Sequence, residues 1–523
     1  MNYTVTTVSA ALTAVLALSW IVRRRSNRDI RTIVGPPSPS WIFGNMLQQL
    51  LSPSYGDYEF KWRKAYGSVY RIKGCLGQDR LMVSDPTAVQ YLVNCPSFHY
   101  PRSLEALLRS VYGAKSIIAR RLGGDHHKQL RAWMNPAFAA AAVRQYQPVF
   151  ARVAQRITER IDDCETLSID MCPLLSDASL SSISEVVFGC PVEDLSADLV
   201  ESTFQIVHLS SNQSASQILF DAISNLLPGW ILRHAVYLPI KHFRVVRTQL
   251  HLANREGWRL VREKTEAAKQ GLETGGDLYS VLLNSDKSNS GRLREEDVVA
   301  QTSLLMVAGH DTAAKTLAFG LIELAQNAQF QESLRAEIHA ALGTGRDSEH
   351  IPYDSMPLLN AFIKETLRMY PALPISDRRA LKDEVIPLSE SIVTTAGKQL
   401  DRVHIRKGEV VSIAIASYQR LMESRWGDDA DKFRPARWLD GTVYQGEAIG
   451  PYANLFSFLG GPRTCLGWRF AIFEMQVFLC ELVGKFSFSL PKDYYPRVKI
   501  ANLLLPTDSH GNKGALLEVK RVL

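Results

Sequence analysis

One cysteine near the C-terminus sits among residues suited to chemistry. Residues 456–470 read FSFLGGPRTCLGWRF, in the spacing Phe458-x-x-Gly461-x-Arg463-x-Cys465-x-Gly467. A thiolate persists where positive groups surround it, and the N–H groups of a glycine turn and of a following helix N-terminus are such groups. A thiolate held this way can ligate iron axially and push electron density towards O–O cleavage. Two plainer alternatives stand beside this. Free cysteines are often small buried hydrophobes, and turns need glycine. A cysteine nucleophile would need a base, and none of the twelve histidines is marked by sequence as its partner.

Two further stretches carry polar residues where a buried helix has little use for them. In AGHDT, residues 308–312, Ala308 and Thr312 are four apart and Gly309 and Thr312 three apart, so each pair shares a helical face. A mid-helix glycine costs about 1 kcal/mol against alanine, and a buried aspartate costs more unless paired. One reading is a groove against a flat ligand, opened by Ala308 and Gly309, with Asp311 and Thr312 passing protons into it. The other is a glycine that lets two helices pack, beside an aspartate reaching solvent. In KETLRMYP, Glu365 and Arg368 stand three apart, upstream of Arg437 in FRPARW, and the three would form a buried ionic triad ahead of the cysteine. The same spacing at Glu256/Arg259 and Glu332/Arg335 reads as surface pairing.

The elements that must position these groups follow from pattern. Residues 66–86 alternate around a glycine-containing turn and predict a β-hairpin. Asp85-Pro86 predicts the start of a helix over TAVQYLVN. Helical spacing dominates from 125 to about 380, and residues 297–327, apolar on most sides, predict the longest helix, buried at the centre. Short strands return at 384–415, and a last helix runs from about Leu466 to Lys485. The fold class is mainly α with a small β region. The stretches at 269–277 and 284–292 read as exposed loops, and no repeat or linker divides the 523 residues.

Composition excludes several function classes. Seven scattered cysteines, odd in number and without CxxC pairs, argue against a disulfide framework or a zinc site. The net charge is +7, but residues 1–31 carry five arginines against one aspartate, so more than half of it is local and nucleic acid is not a partner. Val5 to Val22 holds no charge, and Arg23, Arg24 and Arg25 follow at once. That order suits a membrane-crossing helix with its arginines on the cytosolic side; a cleaved signal peptide is the alternative. VGPPSPSWIFGN (34–45) reads as a stiff extended connector. NLLPGWILRHAVYLPIKHF (225–243) is either a segment that dips into a membrane surface or an ordinary amphipathic helix pair.

The ordered set AGHDT, ETLR, FRPARW and FSFLGGPRTCLG resembles the cytochrome P-450 family of haem-thiolate monooxygenases, in its microsomal eukaryotic and most nearly fungal form. The resemblance implies the triangular helical haem domain over residues 34–523, with residues 1–33 as a single-pass anchor and basic flank in the endoplasmic reticulum membrane, the catalytic domain being cytosolic. It implies haem b with Cys465 as the iron ligand in a loop containing Gly461 and Gly467, Phe458 shielding the sulfur, and Arg463 on a propionate. Thr312 and Asp311 match the oxygen-activation and proton-delivery pair. Ala308 and Gly309 line the haem, and Glu365, Arg368 and Arg437 are structural. GDHHKQLRAWMNPAF resembles the propionate-holding helix, where His127 and Arg131 have the right spacing and His126 does not. Arg378 matches another propionate arginine, with Arg379 one residue away.

The implied reaction is insertion of one oxygen atom from O2 into a lipophilic small molecule, terpenoid-like in fungal secondary metabolism. Electrons would come from NADPH through a flavoprotein reductase whose acidic face meets Lys128 and Arg131. Substrate would meet residues 96–124 and 205–245, Met306, Val307 and the segment after Pro371. A haem-thiolate isomerase or dehydratase without external electrons, or a non-enzymatic membrane-bound haem protein, are the alternatives. The sequence departs from the family pattern at Leu459, Ala436 and Ala313.

Overall fold

The computed structural model describes residues 28–120, 124–164, 166, 168–271, 276–283, 293–343, 351–444, 446 and 448–522. The expected anchor, Val5–Val22 with its three arginines, and the loop at 284–292 lie outside them. Among the described residues no helix is long and apolar enough to cross a membrane.

The hairpin forms as read: β1 (Val69–Lys73) and β2 (Asp79–Val83) pair antiparallel, with Tyr70 opposite Met82. The Asp85 carboxylate then accepts the Ala88 N–H at 2.9 Å and Pro86 fills the first turn of the helix Pro86–Asn94. The remaining strands are β3 (Phe98–His99), β4 (Ser168–Asp170), β5 (Ile375–Ala380), β6 (Glu384–Val393), β7 (Gln399–Ile405), β8 (Val410–Ala414), β9 (Phe486–Ser489), β10 (Arg497–Ile500), β11 (Leu504–Thr507) and β12 (Leu516–Arg521). The main sheet runs β1-β2-β8-β5-β3, with only β2 and β8 parallel. Its inner strand β8, VVSIA, is buried at every position, which is why it shows no alternation. Smaller sheets are β4-β12-β9, β6-β7 and β10-β11.

The helical body is built around a central helix, Thr302–Gln326, packed most heavily against a facing helix, Met171–Ile183. It is buried on most of its circumference, as its composition predicts. Two parts of that expectation need correction. The longest helix among the described residues is Lys241–Lys269, not this one. The run 297–327 is also broken, into Glu295–Val299 and Thr302–Gln326. The Gln301 side-chain amide takes the Asp297 carbonyl at 2.8 Å, and the Gln301 backbone N–H turns to Val298 instead. Thr302 Oγ1 adds a bond to the Val299 carbonyl, so side chains replace one turn of helical pairing.

Residues 34–45 do not form a free connector. Arg71 donates its backbone N–H to Val34 O at 2.9 Å, Asn45 donates to Lys73 O at 2.7 Å, and a Cβ at Gly35 would collide with Arg71 O. Just upstream, Ile30 and Ile33 are fully buried. The prolines stiffen a segment whose resting place is the hairpin edge. Nor are the two comparison ion pairs plain surface pairs. Arg335 is buried and donates to Val483 O and Phe486 O, tying its helix to the end of the last helix. Glu256 is buried under Arg259. Charged residues at i,i+3 spacing look alike in sequence whether a neighbouring element covers them or not.

Candidate functional site

Cys465 stands on the turn between the 3-10 segment Gly461–Arg463 and the last helix, Trp468–Lys485. Its N–H donates to Phe458 O at 2.8 Å, which closes the loop beneath the buried Phe458 ring. Gly461 has φ +61°, and a Cβ there would stand 2.8 Å from Val93 O, so glycine is required twice over. At Gly467 a Cβ would meet only Phe138, at 3.8 Å; that residue contributes its N–H towards the Cys465 sulfur. Leu459 takes a left-handed φ of +58° while its side chain packs on the core. Ala436 is exposed and Ala313 is buried, so neither departure lies in the cysteine loop.

The thiol is accessible to a water-sized sphere yet lies deep in the protein body. Burial raises its pKa, while the Gly467 N–H and Arg131 lower it by less. The Gly467 N–H and Arg131 thus favour the thiolate as the glycine turn predicts, while burial opposes it. A coordinating metal ion would deliver the thiolate, since it deprotonates a thiol outright.

Around the same loop stands a group of basic side chains. Arg131 donates to Thr464 O at 2.8 Å, Arg463 Nη1 donates to Ile118 O at 2.9 Å, and Arg378 Nη1 donates to Ser376 Oγ at 2.7 Å. Arg378 and Arg463 each lie 5.1 Å from the centre of the Tyr100 ring. Among the described residues no carboxylate comes within ion-pair distance of Arg131, Arg378 or Arg463. Burial pushes the pKa of all three down. His127 is buried beside them and pushed down to about 4 by burial, then by Arg463 and Arg131, so it is a neutral imidazole. His126 stands 3.5 Å from the buried Asp297, and Arg379 pairs in register with His99 on β3.

On the central helix, Ala308 is exposed and Val307, Gly309 and Thr312 are half-buried around it, the Thr312 Oγ1 donating to Ala308 O at 3.1 Å. Gly309, at the edge of that face, meets the facing helix. A Cβ on it would stand 2.3 Å from Ile183 Cδ1, so its role is close packing against the facing helix. Asp311 is buried and paired with Lys315, one turn on, and does not reach solvent.

The ionic triad forms. Glu365 Oε1 accepts Arg368 Nη2, Arg437 Nε and the Arg434 N–H at 2.7–2.9 Å, while Oε2 accepts Arg368 Nε and Trp438 Nε1. Desolvation works to raise the Glu365 pKa, but these donors hold it below the ordinary value. Arg368 further clamps the carbonyls of Gln419, Ala430 and Lys432. Sequence reasoning missed Gln419, which joins the triad to the cysteine loop. Its Nε2 donates to Leu367 O and Arg368 O, and its Oε1 accepts the Phe456 N–H at 2.6 Å. It also missed Tyr100 and Lys315. Lys315 was legible as an i,i+4 partner of Asp311, whereas nothing local marks Gln419 or Tyr100.

A family model for cytochrome P-450 matches residues 34–511. The chain belongs to the cytochrome P-450 family. It is similar to cytochrome P-450 monooxygenase 219 of Postia placenta, 31% identical over 91% of both chains. It is similar also to cytochrome P-450 monooxygenase claU of Ampulloclitocybe clavipes, 31% identical over 94% of this chain and 91% of that one. Ganoderic acid synthetase CYP5150L8 of Ganoderma lucidum is 28% identical over 92% of both. The chain is thus an oxidoreductase of a monooxygenase family with fungal secondary-metabolite relatives, and the cytochrome P-450 family implies haem held by a cysteine thiolate. The residues present fit that group. An accessible thiol stands deep in the body, an exposed alanine lies on the mostly buried central helix, and three arginines with no carboxylate partner among the described residues border the cysteine loop.

Proposed function

We propose that Cys465 is the axial ligand of haem b. On this reading the chain inserts one oxygen atom from O2 into a lipophilic small molecule, with electrons from NADPH through a flavoprotein reductase. The observation that carries it is the Cys465 thiol, accessible yet deep inside the body. Bound haem supplies the oxygen activation and the oxidising power. Arg131, Arg378 and Arg463 would hold its carboxylates, and neutral His127 would add a hydrogen bond. Ala308 leaves room for a flat ring system. Thr312 Oγ1 holds a proton at the site, and the Asp311–Lys315 pair, one residue away, replenishes it. Exposed Lys128 on the helix Asp125–Met134 is where an acidic reductase face would meet the chain. Relatives that include a ganoderic acid synthetase favour a terpenoid-like substrate. The reduced carbon-monoxide difference spectrum tests the ligand: wild type should show a thiolate-type Soret band and Cys465→Ala should lose it completely. A band unchanged in the variant would end the proposal.

The same reading places the chain on the endoplasmic reticulum membrane, its body cytosolic and residues 1–33 its anchor. Supporting it is an apolar surface: Trp230 is 63% and Tyr237 72% exposed, with Phe220, Leu238, Ile240, Trp41 and Ile42 also exposed. Ile218, Leu219 and Ile223 share one apolar cluster with Phe43 and Leu47, so the 215–240 region and the 41–50 segment are neighbours. In microsomes the full chain should resist alkaline carbonate extraction, and a chain starting at Arg28 should be released by it. That shorter chain should still sediment with vesicles at neutral pH, and replacing Trp230, Tyr237 and Leu238 by serine should remove most of this binding. Carbonate release of the full chain would refute the anchor.

A further inference from the structure

His310 is the one side chain of AGHDT without a part in the scheme above. It is fully buried, its Nε2 lies 2.7 Å from Ser176 Oγ, and its ring meets Phe204 edge-on at 4.9 Å. Nδ1 has no partner among the described residues, so Ser176 is the polar anchor of this imidazole. Its neighbour Gly309 abuts Ile183. Ser176 and Ile183 both belong to the facing helix, seven residues apart and so on one side of it.

At about 100° per residue, position 310 points roughly opposite to the face of 308 and 312, and position 309 lies on the flank between them. The facing helix therefore holds the central helix at two successive residues, on its flank by steric closure and at its back by a hydrogen bond. Closure at Gly309 limits approach but tolerates rolling, because a glycine presents a smooth surface. The Ser176–His310 bond is directional and resists it. A side chain tip lies about 5–6 Å from the helix axis, so a roll of about 20° would move Thr312 Oγ1 by about 2 Å. Misplacements of about 1 Å can cost on the order of 100-fold in rate.

We infer that His310 is a positioning residue: through Ser176 it fixes the roll of the central helix and hence where the Thr312 hydroxyl stands over the oxygen-binding site. This rests on the haem reading above. A glutamine can carry its Nε2 close to where the imidazole Nε2 lies, whereas leucine fills the space without a polar atom. The decisive comparison is among wild type, His310→Gln, His310→Leu and Ser176→Ala, all as the haem-loaded full chain.

The infrared stretch of bound carbon monoxide reports the polar groups over the iron, and peroxide released per NADPH consumed reports proton delivery. His310→Gln should match wild type in both. His310→Leu and Ser176→Ala should show the same broadened or split stretch and about threefold to tenfold more peroxide, and the double variant should be no worse than either single. Ser176→Ala removes one hydroxyl and should load haem normally, so it remains informative if His310→Leu fails to fold. An unchanged stretch in Ser176→Ala, or strictly additive effects in the double variant, would overturn the inference. Absence of a thiolate-type carbon-monoxide band in wild type would instead overturn the haem reading itself.

Discussion

Glu365→Gln is expected to leave almost no folded, haem-loaded protein. The carboxylate accepts five hydrogen bonds, and both arginines it serves are fully buried. Glutamine keeps one acceptor oxygen, but its NH2 group must then point at donors on Arg368 and on Arg437 or Trp438. Removing one member of a buried ionic group typically costs about 3–5 kcal/mol, against a total stability of about 5–15 kcal/mol for most proteins. Arg437 retains Asp429, but Arg368 retains only carbonyls. The yield of protein with a thiolate-type Soret band should fall at least tenfold. Trp438→Phe removes a single bond to the same carboxylate and should cost about 1–2 kcal/mol, a modest shift of the urea midpoint. Equal yields from wild type and Glu365→Gln would contradict the account.

The opposite sign is expected at a second buried glutamate. Glu474 on the last helix is fully buried, and neither carboxyl oxygen meets a hydrogen-bond donor at bonding distance. Burial pushes its pKa up to about 8, and the nearby Ser179 and Ser182 hydroxyls lower it only in part. Among the described residues no charged group offsets the burial. In the unfolded chain the group ionises near 4.5, so the folded state holds an extra proton between the two values. The contribution of this group to stability is therefore greatest below pH 4.5 and declines as pH rises, by about 1.4 kcal/mol per unit, until about pH 8. Glu474→Gln has no proton to lose. It should match wild type near pH 4.5 and exceed it by about 3 kcal/mol at pH 7, read from urea midpoints between pH 5 and 8.5. Parallel midpoint curves for the two proteins would refute this. The two glutamates differ in nothing a residue type conveys; their partners decide the sign.

Much of the site was legible because its residues fall in short runs with fixed spacing. The cysteine turn, the triad and the hairpin are local patterns whose physics needs few neighbours, and the order of the motifs points to the family. What escaped the sequence depends on rotation and on distant contacts. In a helix apolar on nearly all sides, the hydrophobic period no longer says which face meets what, so Gly309 reads as a groove residue and is a packing residue. Arg335 and Glu256 have surface spacing, and the elements that bury Arg335 arrive some 150 residues later in the chain. Tyr100 precedes a proline in an unremarkable stretch, and only the folded sheet brings it to Arg378.

The buried pair Ile30 and Ile33 also governs how the molecule can be tethered. With those two side chains seated, and Thr395 donating its N–H to Thr32 O at 2.7 Å, residues 28–33 are fixed on the body. A tether attached there behaves like a short stalk bolted to its load, not a string. Extra flexible residues ahead of Arg28 would let the body swing, whereas the same insertion between Val34 and Asn45 would first have to pry the stalk loose.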